Sequence, residues 1–281
     1  MPSFKIVVAY DGTDYVGWQR QANGVAIQEL IEEALRAIDG RAVAVAGAGR
    51  TDSGVHALGQ VAAFTLERAL SPDAVVRAVN AHLPDAIRIM SADEVPPSFH
   101  PRFDAIAKTY RYRIWNGEVV SPFERRYAWH VAGALDVDAM SAAARLVEGE
   151  HDFASFQATG SDVATTRREL FVSRIADCGL RIDSGLRIED RGFPVIHNPQ
   201  SAIDNQSAVR NPHSAILAYE VTGTGFLRHM VRTIVGTLVE VGRGRQPVEW
   251  MAEVLASRDR AAAGPTAPAA GLFLVRVDYH E

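Results

Sequence analysis

The rhythm of apolar and polar positions changes from segment to segment, and each rhythm predicts an element. KIVVAYDG (5–12) is a nearly continuous apolar run closed by Asp-Gly, the pattern of a buried strand entering a tight turn. IQELIEEALRAI (27–38) has apolar residues at 27, 30, 31, 34, 35 and 38, the spacing of an amphipathic helix. AVAVAGAG (42–49) and QVAAFTL (60–66) read as two further strands, and SPDAVVRAVNAHL (71–83) as a helix capped by Ser71 with Pro72 in its first turn. IRIMSADEV (87–95) completes a β-α-β-β-α-β order, the ferredoxin-like plan that RNA-recognition modules also use.

VPPSFHPRFD (95–104) interrupts the pattern and marks a boundary between halves 1–104 and 105–281. Beyond it the text predicts a strand over 107–116, a helix over 136–149, strands over 168–178 and 215–224, helices over 226–242 and 250–257, and a closing strand over 271–281. Thr224 is the expected cap of the 226–242 helix. The second half loosely repeats the first, so the fold class is α+β, with one extended, mostly antiparallel sheet and a cleft between the halves. Two stretches lie outside this pattern. Residues 179–214 are polar and rich in Asn, Pro and Gly, the composition of a surface excursion, and 261–271 is small-residue-rich and reads as a flexible connector.

Composition narrows the function classes. Hydrophobic residues are 47% of the 281 and charged ones 22%, enough for a sizeable core. No run of about 18 apolar residues occurs, and the first residues lack the basic-then-apolar pattern of a secretory signal, so a cytoplasmic, non-membrane protein is expected. Cys178 is the only cysteine, which excludes intrachain disulfides and cysteine-cluster metal sites. The net charge of −5 does not advertise a nucleic-acid binder, but the basic residues cluster: Lys108, Arg111 and Arg113; Arg125 and Arg126; Arg228 and Arg232; Arg243 and Arg245.

Candidate chemistry concentrates in GAGRTDSGVHALGQ (47–60), where an apolar strand gives way to a glycine-bounded loop carrying Arg50, Asp52 and His56. A carboxylate kept charged by a nearby cation can act as nucleophile or base. A plain Asx-turn with a surface salt bridge would also explain an Arg-x-Asp pair, but Gly47, Gly49 and Gly54 point to close approach of a ligand. Asp52 with His56 is a poor metal site for want of a third ligand, and the loop lacks both the third glycine of a dinucleotide fingerprint and the Lys-Ser/Thr of a P-loop. In TYRYRI (109–114) the tyrosines Tyr110 and Tyr112 share one strand face and Arg111 and Arg113 the other. That pattern suits base stacking with phosphate contact, or an amphipathic strand with its tyrosines in the core. In FLRHMVR (226–232), Arg228 and Arg232 are expected on one helical face, where they would meet phosphates or simply solvent.

YDGTDYVGWQRQ (10–21), GAGRTDSGVHALGQVAAF (47–64), FHPRFDAIAKTYRYRI (99–114), FLRHMVRTIVG (226–236) and GPTAPAAGLFLVRVDY (264–279) occur in one order. Together they closely resemble the tRNA pseudouridine synthase A family, from residue 4 to residue 279, with 179–214 as the main gap. The resemblance implies the pseudouridine synthase fold and a cofactor-free, homodimeric isomerase that converts uridine to pseudouridine at positions 38 to 40 of the tRNA anticodon arm. It places the catalytic aspartate on Asp52, its paired arginine on Arg50 and the base-contacting tyrosine on Tyr110. His56, Arg111, Arg228 and Arg232 are further candidates for RNA contact. Gln157 stands where the family leads one to expect an arginine.

Overall fold

The computed structural model describes residues 1–158, 160, 163–177 and 216–280. Cys178 and the 179–214 excursion therefore lie outside the described residues. The first half runs β1 (Ser3–Tyr10), α1 (Ile27–Asp39), β2 (Ala46–Gly47), β3 (His56–Thr65), α2 (Pro72–Asn80) and β4 (Ile87–Val95). The second runs β5 (Ala105–Trp115), β6 (Trp129–His130), α3 (Val137–Arg145), β7 (Gly149–Asp152), β8 (Arg167–Asp177), β9 (Ile216–Gly223), α4 (Met230–Gly242), α5 (Trp250–Ser257) and β10 (Leu272–Tyr279). No helix among these residues is long and apolar enough to cross a membrane.

All the strands join one sheet in the order β4-β1-β3-β10-β5-β9-β8-β7, with β2 on β3 and β6 on β5. The order exposes the repeat. In β1, β2, β3 and β4 the spatial order is fourth-first-third-second, and β5, β8, β9 and β10 are arranged in the same way. The two units meet where β10 lies parallel to β3, through Phe273 and Leu274 opposite His56 and Ala57, and antiparallel to β5. Most other pairings are antiparallel, β6 on β5 being parallel.

Pairing register assigns the two faces, because directly opposed residues share one. Phe4, Ile6, Val8 and Tyr10 of β1, Tyr110 and Tyr112 of β5 and Tyr219 and Val221 of β9 are buried on the face that α1 to α4 cover. α1 buries Ile27, Ile31, Ala34, Leu35 and Ile38, the stripe its spacing predicts. The Ser71 hydroxyl caps α2 by accepting from the Ala74 N–H at 3.3 Å, as read from sequence.

Several boundaries differ from the pattern-based expectation. The strand expected over 42–49 is the two-residue β2, and β3 begins at His56 rather than 60, so His56 belongs to the sheet. α3 ends at Arg145, leaving 149–152 to form β7. α4 starts at Met230, capped by His229 in the left-handed conformation (φ 63°) and not by Thr224. Phe226 and Leu227 extend the apolar rhythm without being helical: Leu227 is buried in the turn before the helix, and Phe226 packs edge-on against Tyr110 at 4.9 Å. The 261–271 segment is no loose connector. Its Ala267 is 1% exposed, its Gly264 N–H donates to Thr237 Oγ1 at 3.0 Å, and its Pro268 carbonyl accepts from the Tyr112 hydroxyl at 2.8 Å.

Candidate active site

The Asp52 loop is braced from below by the segment that follows β1. Tyr10, buried at the strand's end, meets Thr51 hydroxyl to hydroxyl at 2.8 Å. Trp18 N–H donates to the Thr51 carbonyl at 3.1 Å, and both Ser53 Oγ and Gly54 N–H donate to the Tyr15 carbonyl. Val55 N–H closes the turn onto the Asp52 carbonyl at 3.1 Å. Gly17 makes this contact feasible: with φ 107°, a Cβ there would sit 2.5 Å from the Thr51 carbonyl oxygen. The loop's own glycines serve packing more than ligand access. A Cβ on Gly47 would lie 2.4 Å from the Trp18 indole nitrogen, and one on Gly59 2.5 Å from the Val275 carbonyl oxygen. At Gly49 the nearest atom is Lys108 Cε at 3.9 Å, so the loop has room there.

Thus held, the half-buried Asp52 carboxylate faces the start of α4. Its Oδ2 is 3.4 Å from Arg232 Nη1 and 3.5 Å from His229 Nε2. Arg232 is fixed at a second point, donating from Nε to the Ala267 carbonyl at 2.7 Å, while Ala267 N–H donates back to the Arg232 carbonyl at 3.1 Å. The packed 264–271 segment therefore aims the guanidinium. Because His229 is a left-handed cap with no capping bond of its own, its ring is available to Asp52. Burial lowers the His229 pKa below the ordinary imidazole value; the Asp52 carboxylate opposes this shift, and Arg232, Arg228 and Arg260 reinforce it.

The expected Arg50–Asp52 pair does not form. Arg50 is exposed and makes no hydrogen bond or ion pair with any described residue, whereas Arg232 and His229 take the carboxylate. Arg228 precedes α4 and does not share a helical face with Arg232; its side chain is exposed and its carbonyl accepts from Ala158 N–H at 3.0 Å. Sequence reasoning missed His229. The residue sits between two arginines already under suspicion, but nothing local signals that the helix starts one residue after it.

Tyr110 lies on the face of β5 that looks toward this carboxylate and is 7% exposed. Burial raises its pKa above the ordinary phenol value, with Tyr10 and the Asp52 charge adding to the shift, so the group stays protonated. Its hydroxyl has no hydrogen-bond partner among the described residues and is not sealed from solvent, which leaves it able to donate to a ligand. Arg111 points the other way. It opposes Glu220 in register on the far face and is bound to it at 3.0 Å, so it does not line the cleft with Tyr110.

His56 is 1% exposed and does not face Asp52, so the two form no metal pair. Its Nδ1 accepts from Gly12 N–H at 3.1 Å, its Nε2 lies 3.1 Å from the Arg126 carbonyl, and its ring stacks on Phe273 at 4.7 Å. Burial lowers its pKa, opposed by Asp11, whose Oδ1 lies 3.1 Å from Nδ1, and by the Arg126 carbonyl. His56 thus joins β1's turn, the 125–127 segment and β10, a seam that Tyr127 extends by donating to Asp11 Oδ2 at 2.8 Å. This buried place suits orienting the loop and leaves His56 no direct reach to RNA.

The arrangement offers a carboxylate held between a guanidinium and an imidazole, on the side of the sheet that carries a protonated, uncommitted tyrosine. Comparison with known proteins agrees with the motifs. The sequence pattern of a family described as tRNA pseudouridine synthase matches residues 6–104 and 143–280. Proteins named tRNA pseudouridine synthase A are similar over nearly the whole chain. The one from Pelobacter propionicus is 43% identical over 279 residues, covering 99% of this chain and 100% of its own. That from Geobacter sulfurreducens is 42% identical with the same coverage, and that from Myxococcus xanthus 41% identical over 100% of this chain and 93% of its own.

Proposed function

This chain belongs to the tRNA pseudouridine synthase family and is an isomerase acting on tRNA; we propose that it converts uridine to pseudouridine at positions 38, 39 and 40 of the anticodon arm, with Asp52 as the catalytic group. The reaction breaks the N1–C1′ bond, turns the base and joins C5 to C1′, while the proton on C5 leaves and N1 gains one. No atoms or electrons are exchanged overall, so the chemistry asks for positioning and acid–base work and not for a redox cofactor. A uridine in a stem must first leave the stack.

The observation that carries this reading is the Asp52 carboxylate held 3.4 Å from Arg232 and 3.5 Å from His229, on the side of the sheet where Tyr110 lies. Asp52 attacks the base or the sugar, or takes a sugar proton. Tyr110 supports the uracil ring, and its protonated hydroxyl supplies a hydrogen bond to the turning base or relays the C5 proton. Arg50, exposed beside the loop, is placed to occupy the gap left by the flipped nucleotide or to meet phosphate. The family resemblance adds that the enzyme works as a cytoplasmic homodimer without cofactor, one RNA touching both subunits.

The test is Asp52→Asn against tRNA lacking the modification, with pseudouridine mapped at 38, 39 and 40. Loss of all product with retained tRNA binding is expected. Conversion at the wild-type rate overturns the assignment of Asp52, and product at other positions overturns the choice of site.

A further inference from the structure

Beyond the Asp52 cluster, the same face of the sheet carries a group of cations that the chemistry above does not use. Lys108 lies two residues before Tyr110 on β5, so the two side chains leave the same face about 7 Å apart. Gly223 of β9 opposes Lys108, and Leu170 of β8 opposes Gly223. Arg168, two residues before Leu170, joins this face, and its Cδ and Nε pass 3.7 Å from where a Cβ on Gly225 would be, next to the Phe226 that packs on Tyr110. Lys108 Cε is likewise the nearest atom to the open side of Gly49, three residues before Asp52.

The local electrostatics run against a purely structural role. Burial lowers the Lys108 pKa, and the charges of Arg102 and Arg168 lower it further; Arg168 is disfavoured in the same way by burial and by Arg102. Among the described residues no carboxylate compensates. The Lys108 side chain makes no ion pair or hydrogen bond, the Arg168 side chain donates only to the Thr165 and Arg167 carbonyls, and the Arg102 side chain meets only the Phe103 ring. The Lys108 ammonium is nonetheless not sealed away, since no buried polar atom lacks a partner. Two partly desolvated cations, Lys108 and Arg168, repelling each other and the exposed Arg102 without a counter-charge, destabilise the free protein, and an anion entering among them relieves both costs.

We infer that Lys108 and Arg168 bind a phosphate of the RNA strand immediately beside the nucleotide whose base lies on Tyr110. This rests on the proposed function and adds to it a fixed register: the backbone is gripped one step from the reacting sugar, on the side of Gly49 and Gly225. Such contacts position the strand without reading its sequence.

The test uses Lys108→Met and Arg168→Met in the full chain, with tRNA affinity measured across a salt series. Each variant should bind about tenfold more weakly, the size of one charge-assisted hydrogen bond. The slope of log affinity against log salt should flatten by about 0.7, the value for one contact to a single strand. A synthetic anticodon-arm RNA with one methylphosphonate beside the target uridine should weaken wild-type binding but not weaken Lys108→Met further. Lys108→Met should also keep or raise the melting temperature, because it removes a repelling, desolvated charge. Wild-type affinity and slope in both variants overturn the inference, as does a lowered melting temperature with an unchanged slope. Neither result touches the proposed function, which stands or falls on product formation and Asp52→Asn.

Discussion

Replacing Arg232 separates what charge does at Asp52 from what geometry does. The guanidinium spans two acceptors, the Ala267 carbonyl at 2.7 Å from Nε and Asp52 Oδ2 at 3.4 Å from Nη1, and the side chain is only 15% exposed. A lysine ammonium is a single point and cannot hold both. The 3.4 Å contact is long for a charged hydrogen bond, so its worth falls at the low end of the usual range, about 1.5 kcal/mol. Lost from the transition state alone, that corresponds to roughly a tenfold fall in kcat. Arg232→Lys should therefore lose about tenfold in kcat with little change in KM. Arg232→Met, which also deprives Asp52 of a charge, should lose about a hundredfold or more. Single-turnover conversion of tRNA under saturating enzyme reads kcat free of product release. Wild-type kcat in Arg232→Lys would refute the two-point hold. A KM rise with unchanged kcat would show that Arg232 binds RNA and does not position Asp52.

Tyr110→Phe keeps the ring against Phe226 and removes only the hydroxyl. A fall in kcat of about a hundredfold with near-normal KM is expected if the hydroxyl takes part in proton transfer, and full activity would leave Tyr110 a stacking role alone. His56 gives a pH-dependent prediction. Its folded-state pKa is lowered by burial, so the unfolded chain binds more protons at this group; the stability it contributes is present above about pH 6.5 and lost as pH falls below that value. Thermal melts of His56→Gln, whose amide can still donate to the Arg126 carbonyl, should show a shallower loss of stability on the acid side than wild type. An equal slope would mean that another group dominates the acid transition.

Much of the frame was legible because it is periodic. The stripe of α1, the Ser71 cap and the alternation of tyrosines and arginines in TYRYRI are local properties, and the structure shows each of them. The partners of Asp52 were not legible, because Arg232 is 180 positions away and reaches the loop only through the folding of the 264–271 segment. Arg50 looked like the partner because it was near in sequence. His56 looked like part of the loop because strand β3 starts earlier than its apolar run. Lys108 stood in a basic cluster with Arg111 and Arg113, yet strand parity sends it to the tyrosine face and them to the opposite one.

The position of β10 has a consequence for how the enzyme comes into being. This strand follows every other described strand along the chain, and among the described strands it alone touches both β3 and β5 along the main path of the sheet. Until it inserts, each half presents an open strand edge at the future seam, and such edges pair readily with other chains. Asp52 belongs to one half and Arg232, His229 and Tyr110 to the other, so the site is not assembled while the seam is open. Closure of the sheet and assembly of the site are thereby tied together: the strand that covers the exposed edges also brings the carboxylate to Arg232 and His229.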